Sequence, residues 1–107
     1  MEVSVPTTYK EFLAMHGPFE GFLLDEAPPG YIELWQLDDI ASNNQDIEIA
    51  KHAPSYLAFA GNGGGEVLAF DSSGAVYMLP LIGMAADTAI KVADCFTELS
   101  SRFDLAA

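Results

Sequence analysis

The stretch from Phe59 to Leu81 constrains the fold of this chain more than any other. Two apolar runs, Val67-Leu68-Ala69-Phe70 and Ala75-Val76-Tyr77-Met78-Leu79, flank Asp71-Ser72-Ser73-Gly74. That is the spacing of a hairpin closed by a glycine-containing turn. A third run, Leu57 to Ala60, precedes a glycine cluster and predicts a three-strand antiparallel meander. In the middle run Val67 and Ala69 point one way, Leu68 and Phe70 the other. Both faces are apolar, so this strand is expected to be central and covered on both sides.

The glycine cluster Gly61-Asn62-Gly63-Gly64-Gly65 does not match a nucleotide-binding motif. Glu66 stands where the dinucleotide fingerprint needs its last glycine, and a strand follows instead of a helix. The Lys-Ser/Thr pair of a phosphate-binding loop is missing as well. The glycines are expected to supply positive-φ turn conformations, and no cofactor is expected.

At 107 residues the chain is expected to form one domain, residues 1–107. Half of it is hydrophobic, which argues against intrinsic disorder. Its one cysteine, Cys95, excludes an internal disulfide and is compatible with a reducing compartment. The start, Met1-Glu2-Val3-Ser4-Val5-Pro6, lacks the basic and apolar regions of a signal peptide. Val76 to Ala86, interrupted by Pro80 and Gly83, is too short to span a bilayer. A cytoplasmic protein is expected.

Charge narrows the partners. Sixteen acids face four bases, a net charge of -12. No Lys or Arg lies between Lys10 and Lys51, while Glu11, Glu20, Asp25, Glu26, Glu33, Asp38, Asp39, Asp46 and Glu48 all do. Such a field repels nucleic acid and anionic membrane and favours a basic protein. Solubility alone is the competing explanation.

Pro6-Thr7-Thr8 predicts a helix start, with Thr7 or Thr8 as N-cap; if Thr8 caps, Glu11 completes a capping box. Tyr9, Phe12, Leu13 and His16 share one helical face, and Gly17-Pro18 ends the helix. Gly21 to Leu24 and Tyr31 to Leu34 are short strands joined by a Pro-Pro-Gly turn. Asp38 to Asn43 predicts a single helical turn. Ile47 to His52 fits a strand or a short helix. Residues 89–103 form one helix, or a strand followed by a helix from Asp94; Val92 and Asp94 favour the split. Phe96, Leu99 and Phe103 make the buried stripe of that helix, and Cys95 is expected to cap its start or to be a small hydrophobe in the core.

No catalytic constellation is present: there is no nucleophile elbow, no His-Glu-x-x-His and no cysteine pair with zinc spacing. The acidic run from Asp38 to Glu48 departs from the EF-hand spacing. The chain is therefore expected not to be an enzyme and to hold no metal. A small hydrolase built on Asp38, Asp39 and His52, or a small-ligand-binding protein, is the alternative.

The order of these features resembles the SUKH superfamily. Tyr9-x-x-Phe12-Leu13 leading to Gly17 is similar to its opening helix. Trp35 after a short strand, Asn44 in the acidic segment and Phe59 to Asp71 are similar to its middle, and Asp94 to Leu99 to its closing helix. His16 stands where Asn is usual, and Cys95 where a capping Ser is usual. The resemblance implies an α+β domain, a central antiparallel sheet flanked by N-terminal and C-terminal helices. It also implies a non-catalytic protein-binding role, as in bacterial immunity proteins that neutralise a secreted toxin, often a nuclease. A regulatory or scaffold module of the same fold is the alternative. The expected partner is a basic toxin domain, met by a charged rim of Asp25, Glu26, Asp38, Asp39, Asp46 and Glu48. Tyr31 and Trp35 are its aromatic anchors if exposed; otherwise both belong to the core.

Overall fold

The computed structural model describes residues 3–25 and 27–105. Helix α1 (Thr7–His16) is followed by strands β1 (Glu20–Phe22) and β2 (Tyr31–Leu34), then by helices α2 (Leu37–Asp46) and α3 (Ile49–His52). Strands β3 (Leu57–Gly61), β4 (Glu66–Phe70) and β5 (Val76–Pro80) form the meander. A 3₁₀ turn (Ala86–Thr88), β6 (Ile90–Ala93) and α4 (Phe96–Ser100) follow. All six strands make one antiparallel sheet in sequence order. The fold is α+β, with helices at both ends.

Alternation in β4 divides the core as its sequence predicts. Leu68 and Phe70 join one cluster with Tyr9, Ile32, Phe59, Val76, Phe96 and Phe103. Val67 and Ala69 join a second cluster on the other face with Ile49, Ala53, Leu79 and Met84. In the first cluster Phe59 and Phe70 stack at 4.0 Å. The Tyr9 ring meets Phe59 edge-on at 5.2 Å and Phe96 at 5.0 Å, the geometry that the ring quadrupole favours. Strand β3 bulges between Ala58 and Ala60, which lets Phe59 and Ala60 both serve the first cluster.

Local chemistry shapes the connections. In the β3–β4 loop the Asn62 carboxamide oxygen accepts the N–H groups of Gly64 (2.9 Å) and Glu66 (3.1 Å). Gly63 (φ 74°) and Gly65 (φ 92°) take the left-handed backbone this needs. The outer edge of β1 is covered by the C-terminal segment: Leu23 bridges Phe103, and the Leu24 and Asp104 N–H groups bond across it.

Several sequence expectations are corrected. The N-cap of α1 is Pro6, so neither Thr7 nor Thr8 caps with its side chain and no capping box forms with Glu11. The single turn expected at Asp38 is a ten-residue helix. Its length comes from tertiary packing, since buried Ile40 and Asn44 fasten it to the sheet. Of the two expectations for Cys95 the structure gives the N-cap position of α4, without a side-chain cap bond, and not the core, because Phe96 and Leu99 turn the other side of that helix inward. Phe103 is buried beyond the end of α4 and is not on it.

Candidate functional site

The site is built around the bend from β2 into α2. Trp35 is held there by two hydrogen bonds to its backbone. Its N–H donates to the Phe59 carbonyl at 3.0 Å, and its own carbonyl accepts the Tyr9 hydroxyl at 2.5 Å. Burial raises the Tyr9 pKa well above the ordinary tyrosine value, so this donor stays protonated. The Trp35 side chain is half-buried and touches both core clusters.

Asn44 fixes the helix that follows. Its carboxamide donates to the Ile40 and Ala58 carbonyls (2.7 and 2.8 Å) and accepts the Ala58 N–H (2.8 Å). It is a buried polar side chain with its bonds made, and it locks α2 against β3.

Between these elements lies an open groove of about 410 Å³, lined by Pro18, Glu20, Glu33, Leu34, Trp35, Gln36, Asp39 and Asn43. A second groove of about 340 Å³, sharing Pro18 and Gln36, holds Asp38 with Lys10, Leu13 and Leu37. The neighbouring aspartates therefore line different grooves, and neither groove includes His52. Both aspartates lie in the first turn of α2, where carboxylates complement the helix dipole.

The structure puts Trp35 and Asp39 in one groove and Asp38 in the adjoining one, and leaves Tyr31 on β2, half-buried. Tyr31 donates its hydroxyl to the Glu20 carboxylate. That bond, chiefly, pushes the Tyr31 pKa up to about 12. Asp46 and Glu48 sit at the far end of α2, where Glu48 also faces Lys51 at 4.0 Å. Asp25 lies in the β1–β2 loop, paired with Arg102 at 3.0 Å. Glu26 lies outside the described residues.

Two residues absent from the sequence-based rim are Glu20 and Glu33. They stand directly opposite each other on β1 and β2. Strand alternation in Tyr31-Ile32-Glu33-Leu34 places Glu33 on the outward face, but only the register shows what it meets. Among the described residues no group of three or more His, Cys, Asp or Glu is placed to hold a metal ion. No described helix is long and apolar enough to cross a membrane.

Over residues 1–102 the sequence matches the family described as SMI1 / KNR4 (SUKH-1). No curated protein matches the chain.

Proposed function

The chain belongs to the SMI1 / KNR4 family (SUKH-1), and on that premise we propose that it is a non-catalytic, protein-binding immunity domain. In this reading residues 1–107 act as one cytoplasmic domain that binds a basic toxin domain and occludes its active site. The match across nearly the whole chain carries the proposal. The acidic first turn of α2 supports it, since Asp38 and Asp39 border two grooves beside a rigidly held tryptophan. A nuclease holds phosphate in a positive cleft, so an acidic protein competes for the same field. Steering of this kind raises the association rate and weakens with salt, while affinity rests on a few anchors such as Trp35 and Tyr31.

The test is a toxin domain encoded beside this gene, co-expressed and then purified for stopped-flow mixing. Reversing Asp38 and Asp39 to lysine should slow association by about tenfold or more at low salt and leave the circular dichroism spectrum unchanged. Equal association rates for both proteins, or rates that ignore salt, would reject the acidic face as the steering surface.

A further inference from the structure

The outer face of the sheet is only partly covered. Over β3 to β5 it is closed by α3 and the Met84 turn, which supply Ile49, Ala53 and Met84 to the second core cluster. Over β1 and β2 that cover ends. Phe22 is 68% exposed there, with Tyr31 edge-on to it at 5.2 Å. Glu20 and Glu33 continue the same rows of side chains, and Trp35 and Asp39 close the groove at the α2 end.

We propose that this bare face of the β1–β2 hairpin is a docking surface for an arginine-bearing segment of a basic protein partner, one guanidinium lying against Trp35 between the carboxylates of Glu33 and Asp39. The proposal rests on the protein-binding reading above and adds the chemistry of the contact.

Charge complementarity selects the occupant. Like charges directly opposite on paired strands destabilise a sheet, yet Glu20 faces Glu33. Among the described residues neither has a cation within salt-bridge distance. Arg102, Lys91 and Lys51 are paired with Asp25, Asp94 and Glu48 instead. A second copy of the chain would bring carboxylates onto carboxylates, and nucleic acid or an anionic membrane would be repelled. An apolar segment would strip water from Glu33 and Asp39 without pairing them, which is costly.

A guanidinium meets each requirement. It bonds carboxylates through a planar fork, stacks on aromatic faces and is less strongly hydrated than an ammonium. A groove of about 410 Å³ accommodates such a side chain. The Trp35 backbone is already fixed by Tyr9 and Phe59, so little ordering is needed on binding.

Trp35 is the sole tryptophan, so its fluorescence and indole N–H resonance report on this groove with no second indole to overlap them. The probe is a capped Gly-Arg-Gly-Arg-Gly peptide, compared with its lysine and citrulline counterparts. The arginine peptide is expected to give a saturable change at Trp35 and at the Glu33 and Asp39 amides. It should bind about fivefold more tightly than the lysine peptide, while the neutral citrulline peptide gives no saturation. Glu33→Gln with Asp39→Asn should weaken the arginine peptide by about tenfold, and Asp87→Asn, on the 3₁₀ turn, should not. Because Glu33→Gln relieves the repulsion from Glu20, the double variant should melt no lower than the parent, which separates lost binding from lost folding. Absence of saturation, equal binding of all three peptides, or binding indifferent to the double variant would overturn the proposal. Arginine binding without toxin association would reject the immunity reading alone; toxin association without arginine binding would reject this surface alone.

Discussion

Asn44 shows how much one buried side chain decides. It is a buried polar side chain whose bonds to Ile40 and Ala58 join helix to strand. Asn44→Ala leaves the Ala58 N–H and carbonyl without that partner, so unfolding free energy should fall by about 3 kcal/mol in urea denaturation. Asn44→Leu, which restores volume but no hydrogen bonds, should fare little better. Recovery of stability with leucine would mean that packing, and not the hydrogen bonds, holds α2. Asn44 was visible in the sequence as a polar residue in an acidic stretch. Its burial was not, because Ala58 is brought to it only by the long connection through α3.

Among the elements, the β1–β2 loop is held by a residue far away in sequence. Arg102, just past α4, bonds both Asp25 carboxylate oxygens (3.0 and 3.1 Å) and the Ala27, Pro28 and Val92 carbonyls. It thereby ties the hairpin that carries the docking face to β6 at the other edge of the sheet. The Arg102 hydrogen bond is the main reason that the Asp25 carboxyl lies below its ordinary value. A carboxyl depressed in the folded state adds stability above its unfolded value, and that contribution disappears as pH falls through the folded one. In Arg102→Ala the Asp25 side-chain resonance should therefore titrate at higher pH than in the parent, and amides of the β1–β2 loop should exchange faster. An unchanged Asp25 titration would show that the pair does not form in solution. Since Arg102 already answers its charge, Asp25 adds less to the acidic field than Asp39 does.

For the whole molecule, the net charge sets up self-repulsion. A net charge of -12 is confined within extents of 38 × 26 × 23 Å. The screening length falls from about 30 Å at 0.01 M salt to about 3 Å at 1 M. Near the lower concentration most carboxylates feel one another; near the higher, only neighbours do. The urea midpoint should therefore rise between 10 mM and 500 mM sodium chloride, and a fall would mean that the ion pairs of Arg102 and Lys91 outweigh the repulsion.

The α+β class was implied by the whole-chain family resemblance. The sequence by itself determined the central meander, the two-sided burial of β4 and the helix end at Gly17, and favoured the split of residues 89–103 into strand and helix. These follow from periodicity and backbone chemistry, which act over a few residues. Tertiary structure alone decided the length of α2, the exposure of Cys95, the clasp of Arg102 and the meeting of Glu20, Glu33, Trp35 and Asp39. Each of these depends on which distant residues become neighbours. Strand register and helix docking choose that pairing, and no local pattern of side chains encodes it.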